Sequence, residues 1–140
     1  MLTDTHTHLY SEAFDLDRDA VIQQAKNQGV SQFFIPAIDS SYAKAMYDLE
    51  ASYPDCMHLM MGLHPTSVKE NYIEELAFVA KQLEERKFVA IGEIGIDLYW
   101  DTSTLDKQRE AFVFQIKLAK KYKLPIVCLL YTSPSPRDRG

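Results

Sequence analysis

The chain has 140 residues, 46% of them hydrophobic and 25% charged, with a formal net charge of −5. This composition fits one globular domain with a core of its own and excludes disordered and fibrous classes. The negative balance argues against broad adhesion to nucleic-acid backbones, which needs many Lys and Arg contacts, but not against an enzyme that borrows positive charge from bound cations. No apolar run reaches the length of a membrane span and the N-terminus lacks the basic and apolar regions of a signal peptide, so no membrane contact is expected and a cytoplasmic setting is the default. Cys56 and Cys128 have no ligand spacing and read as buried apolar thiols of a reducing compartment.

Leu2 to His6 reads as a first strand. His6 and His8 stand two residues apart, and in an extended strand such residues project to the same side, which suits one shared metal ion. The alternative is a pair of polar residues on an exposed edge. Asp4 lies on the same face and could hydrogen-bond an imidazole. Asp17 to Gln28 carries Ala20, Val21, Ile22 and Ala25 at near-helical spacing and stops at Gly29. Phe33 to Ile35 forms the second strand, and Ser40 to Tyr53 a second helix with Ala43, Met46, Tyr47 and Leu49. His58 to Gly62 is the third strand, Tyr72 to Arg86 the third helix, and Phe88 to Gly92 the fourth strand. Ser103, with Asp106 three residues on, is placed to cap a fourth helix running to Tyr122, with Phe112, Ile116 and Ala119 on its inner face. Leu124 to Leu130 begins a fifth strand.

Alternating strands and helices imply parallel pairing, and short continuous apolar strands imply a sheet covered on both faces. The choice is between a doubly wound sheet and part of a (β/α)8 barrel. No glycine-rich phosphate loop follows the first strand; histidines stand there instead. Polar ligands at the C-terminal ends of strands favour the barrel, whose catalytic groups gather on that face. A full barrel takes about 250 residues, so roughly half of one is present.

Glu93 in Ala90-Ile91-Gly92-Glu93-Ile94-Gly95 is placed to bridge divalent ions, as two-metal hydrolases require. Taken alone, it reads equally as a solvated loop acid beside turn glycines. Asp97 either orients a ligand or caps a turn. His64, in Gly62-Leu63-His64-Pro65, faces the same rim, either as a contact to a phosphate or as an ordinary loop histidine. His58 opens its strand away from that rim and reads as structural. Tyr99 and Trp100 either stack on a base or pack the rim.

Asp4-Thr5-His6-Thr7-His8-Leu9, Gly62-Leu63-His64-Pro65, Gly92-Glu93-Ile94-Gly95-Ile96-Asp97, and Gln108 with Gln115 ahead of Leu124-Pro125-Ile126-Val127 together resemble the TatD family of metal-dependent deoxyribonucleases, over residues 1–127. The resemblance implies an α/β fold, a (β/α)8 barrel of the amidohydrolase type, with only its first four to five units present in residues 1–130. It also implies a hydrolase using divalent cations, two in a complete site, to cleave phosphodiester bonds of DNA by metal-activated water. His6, His8 and Glu93 are then the first metal ligands and His64 is on the substrate side. In the family, the strand beginning Leu-Pro-Ile-Val ends in a histidine ligand followed by arginine, and further histidine and aspartate ligands come from the second half of the barrel. Here Cys128, Leu129, Leu130 and Tyr131 stand at that place, and all four histidines have already been passed. The general base, an aspartate, is expected from the missing half.

Residues 131–140 turn to Ser, Pro and Arg and read as a non-native or disordered tail. A phosphoesterase of the PHP type and an amidohydrolase acting on C–N bonds also begin with His-x-His, but Gly92-Glu93-Ile94-Gly95 favours the TatD pattern. A further reading is a non-catalytic fragment whose open half-sheet invites self-association. No protein partner is predicted.

Overall fold

The computed structural model describes residues 2–4, 8–98 and 102–131. Five strands alternate with four helices: β1 (Leu2–Asp4), α1 (Arg18–Asn27), β2 (Val30–Ile35), α2 (Ala43–Ser52), β3 (Met57–Met61), α3 (Tyr72–Glu85), β4 (Ala90–Asp97), α4 (Leu105–Tyr122) and β5 (Ile126–Tyr131). All pairs are parallel and the sheet runs β1-β2-β3-β4-β5. Order in space follows order in the chain, so the winding never reverses. This rules out the switch point of a doubly wound sheet and matches the opening units of a (β/α)8 barrel.

The strand period builds the core. Phe33 and Ile35 of β2 and Met57, Leu59 and Met61 of β3 are buried with Ile22 of α1, Met46 and Leu49 of α2, and Leu76 and Val79 of α3. Alternate residues face the other side, where Phe34 stacks on His58 at 4.9 Å and the His58 imidazole bonds the Gln32 side chain. His58 is therefore a sheet residue, held far from the loops that follow the strands. Gly29 follows α1 with φ 99°, a left-handed conformation that glycine adopts without steric cost. Among the described residues no helix is long and apolar enough to cross a membrane.

Several elements differ from their sequence pattern. The second helical segment opens as a 3-10 turn, Ser40–Tyr42, because the Asp39 carboxylate accepts from the Ser41 N–H at 2.9 Å; the α-helix begins only at Ala43. Strand β4 does not stop at Gly92 but runs to Asp97, since Ile94 to Asp97 continue pairing with Cys128 to Tyr131 of β5. Ser103 does not cap α4. A 3-10 turn covers Thr102–Thr104, Thr104 is the N-cap, and its hydroxyl accepts from Gln108 Nε2 at 3.0 Å. The inner face of α4 is Gln108, Ala111, Gln115, Leu118 and Ala119, with Phe112 and Ile116 half-buried at its margin. Cys56 is buried, but Cys128 is exposed, because it stands on the last strand of the sheet, with no described strand on the far side.

Close approach of β3, β4 and β5 depends on Gly92. A Cβ there would stand 2.8 Å from Val127 Cβ, 3.2 Å from the Val127 carbonyl oxygen and 3.3 Å from Met60 Sδ. Gly92→Ala is therefore expected to lower the unfolding free energy by about 1–3 kcal/mol, the usual cost of an overpacked core. A urea midpoint equal to that of the parent chain would contradict this packing.

Candidate metal centre

The end of β2 organises the rim. Past Ile35, the next three residues leave the sheet ladder, and their backbone groups need other partners. The Pro36 carbonyl accepts from the Tyr10 hydroxyl at 2.6 Å. Ala37 donates to the Gly92 carbonyl at 2.9 Å and accepts from the Glu93 N–H at 3.3 Å, while the Ile38 carbonyl accepts from the His64 N–H at 2.8 Å. Loops after β1 and β3, and the middle of β4, are thus fastened to one short segment.

His8, half-buried, begins the described part of the loop after β1. Arg18, the first residue of α1, holds that loop: Nε donates to the Leu9 carbonyl at 2.6 Å and Nη2 to the Ser11 carbonyl at 2.9 Å. Tyr10 is 2% exposed and meets the His8 ring edge to face, with centroids 5.8 Å apart and His8 Nδ1 3.0 Å from its hydroxyl. Burial pushes the Tyr10 phenol well above its ordinary range, and the charges of Tyr42, Glu93 and Asp39 push the same way. Tyr10 is therefore a phenol, never a phenolate, at neutral pH.

Glu93 is 1% exposed, and Oε1 lies 2.7 Å from His64 Nε2. His64 is itself 9% exposed. Its Nδ1 accepts from the Thr66 N–H at 3.2 Å and meets the Thr66 hydroxyl at 2.7 Å, so the imidazole caps the short 3-10 turn Pro65–Ser67. Pro65 at the first turn position costs nothing there, because that N–H has no intrahelical partner.

Two glutamines of α4 steady the strand ends. Gln115 accepts from the Leu63 N–H at 2.7 Å and donates to the Leu63 carbonyl at 3.3 Å, one residue before His64. Gln108 accepts from the Asp97 N–H at 2.6 Å and donates to the Asp97 carbonyl at 3.2 Å. Each side chain reproduces the donor and acceptor of a peptide group and takes the place of a missing strand neighbour.

His8 and His64 follow β1 and β3 on the C-terminal side of the sheet and the buried Asp97 ends β4, while Glu93 stands in the middle of β4, where its side chain meets His64. His6, Tyr99 and Trp100 lie outside the described residues. The buried Glu93 carboxylate and the His8 imidazole, on a loop fastened to the same segment, match divalent cations in kind, oxygen and nitrogen donors together. Among the described residues no three His, Cys, Asp or Glu side chains form a metal-binding group. Tyr10, Thr66 and the Pro36–Ile38 backbone had no motif to reveal them. The only sequence signal was the spacing of Tyr10, two residues beyond His8.

Comparison with known proteins bears on the family and the fold. The family model described as TatD related DNase matches residues 3–128. The metal-dependent hydrolase YabD of Bacillus subtilis is 37% identical over 127 residues, which is 91% of this chain and 49% of that protein. A protein named 3'-5' ssDNA/RNA exonuclease TatD, from Erwinia tasmaniensis, is 32% identical over 123 residues, 88% of this chain and 48% of that one. The crystal structure of YjjV, a TatD homologue from Escherichia coli, superposes with a TM-score of 0.85 at 32% identity, covering 93% of this chain and 51% of that one. The chain spans about half the length of the curated relatives it matches.

Gln115→Leu keeps the volume and removes both hydrogen bonds to Leu63. The expected loss is about 2–6 kcal/mol, because each of the two buried backbone groups left without a partner costs about 1–3 kcal/mol. Chemical denaturation checks it, and a loss under about 0.5 kcal/mol would show that the clasp contributes little.

Proposed function

The chain belongs to the family of TatD-related DNases, and on that premise we propose that it forms the cation-holding opening half of a hydrolase that cleaves phosphodiester bonds of DNA. The observation that carries this reading is the buried Glu93 carboxylate, hydrogen-bonded to His64 and tied through Ala37 to the segment that also holds Tyr10 beside His8. In this reading His6, His8 and Glu93 are ligands. A divalent cation bound by them, one of two in a complete site, lowers the pKa of water and offsets charge on the phosphodiester.

The chain's own residues then have separate tasks. Glu93 presents a carboxylate whose position is set from both sides, by the backbone at Ala37 and by the imidazole of His64. His64 works through Glu93, whose carboxylate it meets at 2.7 Å, and stands on the substrate side of the site in this reading. The general base belongs to the half of the barrel that the relatives possess beyond the matched region. A net charge of −5 makes the cations the source of attraction for a polyanionic substrate. Relatives named 3'-5' ssDNA/RNA exonuclease support single strands or DNA ends as the substrates of this reading. A reducing, cytoplasmic setting suits the two free cysteines, one of them exposed.

The test joins this chain to the second half of a relative and assays single-stranded DNA, duplex DNA and cyclic amides with Mn2+ or Mg2+. DNA hydrolysis that stops with chelator is expected. Glu93→Gln is expected to lower it by at least about 100-fold, the upper end of the loss produced by removing even an outer partner of a metal ligand. Activity on cyclic amides but not on DNA, or activity that survives chelator, would overturn the reading.

A further inference from the structure

The hydrogen-bond partners at the rim decide whether Nδ1 of each imidazole carries a proton. The Tyr10 hydroxyl has one proton, and the Pro36 carbonyl, which can only accept, lies 2.6 Å away. Two oxygens so close in a buried site repel without a proton between them, so the proton is there. Toward His8 the same hydroxyl oxygen accepts, and the proton in the 3.0 Å contact belongs to His8 Nδ1. At His64 the logic runs the other way. The Thr66 backbone N–H can only donate, so Nδ1 is the lone-pair nitrogen, and the ring proton sits on Nε2, facing Glu93 Oε1 at 2.7 Å.

We propose that Tyr10 is a positioning residue that holds His8 in the Nδ1-protonated form and presents Nε2 as its ligating nitrogen, while Thr66 holds His64 in the opposite tautomer as a donor to Glu93. A neutral imidazole binds a cation through the nitrogen that lacks the proton, so the two histidines cannot exchange roles. The hold on His8 is steric as well. The edge-to-face contact with Tyr10 restricts ring rotation, and Arg18 pins the loop at Leu9 and Ser11. The part of this inference that concerns ligation rests on the reading of His8 as a cation ligand; the tautomer assignment does not.

The experiment uses the 140-residue chain labelled with 15N at histidine, without metal, and long-range 1H–15N correlations assigned through His8→Gln and His64→Gln. His8 is expected with a protonated Nδ1 and His64 with a protonated Nε2. Tyr10→Phe keeps the buried ring and removes the oxygen. It is expected to mix the His8 tautomers, leave His64 as it was, and weaken Mn2+ binding, followed by calorimetry, by about 10- to 100-fold, the range seen when an outer partner of a ligating histidine is lost. A Tyr10 that served packing alone would shift the melting temperature and leave the His8 tautomer unchanged, which overturns the proposal. A protonated Nε2 on His8 in the parent chain overturns it without any variant. If the tautomers are as stated but the parent chain binds no Mn2+, the ligand reading of His8 fails while the hold of Tyr10 on the ring stands.

Discussion

Three successive peptide groups, those of Pro36, Ala37 and Ile38, carry the geometry of the rim. They lie where β2 leaves the sheet, a place where backbone donors and acceptors lose their ladder partners and must find others. Proline has no N–H, so residue 36 offers only its carbonyl, and the Tyr10 hydroxyl takes it. Ala37 uses both of its groups on β4, and Ile38 uses its carbonyl on the His64 backbone. Residues 8, 64 and 93, far apart in sequence, therefore share one reference segment, and a shift of the end of β2 moves all three. The neighbouring side chains extend this frame. Asp39 accepts from Ser67 Oγ at 3.2 Å, and Glu75 of α3 accepts from the Ser40 N–H at 3.0 Å and hydroxyl at 2.8 Å.

Helix α4 completes the support from outside the sheet. Gln108 and Gln115 are seven residues apart, close to two helical turns, and so point to the same face. One reaches the end of β4 and the other the residue after β3, each with a donor and an acceptor in register with a peptide group. Placing two amides at 1% exposure is costly unless both ends of each are bonded, and here both are. Stability and site geometry are consequently linked: weakening either amide loosens the backbone next to His64 or the strand that carries Glu93.

The electrostatics follow the same plan. A carboxylate as buried as Glu93 needs compensation, and the imidazole beside it supplies a hydrogen bond. Tyr10 and His64 act as complementary fixtures, one accepting a proton contact from an imidazole and the other donating one to a carboxylate. The asymmetry comes from what lies behind each ring, a carbonyl behind Tyr10 and a backbone N–H behind His64.

Much of the architecture was legible in the order of residues. Apolar runs at Phe33–Ile35, His58–Gly62 and Phe88–Gly92, separated by helical spacing, were enough for parallel strands and sequential winding, because period and connection length are local properties. The early end assigned to β4 failed because Gly92 and Gly95 read locally as a turn, whereas pairing with β5 is a contact across the fold; the Ser103 cap failed locally, by one residue, because Thr104 is the N-cap and its hydroxyl takes the Gln108 side chain one turn on. Gln108 and Gln115 stood out as motif residues, but not as peptide substitutes, since an amide facing a strand end looks no different in sequence from one facing water. By itself the sequence determined the family and the parallel α/β order, and it singled out Glu93 and His64, which the structure brings side by side. Only the tertiary structure decided what those side chains do to one another. Proton direction in a hydrogen bond depends on the third group behind each pair, and that group, the Pro36 carbonyl or the Thr66 N–H, is placed by the packing of the chain.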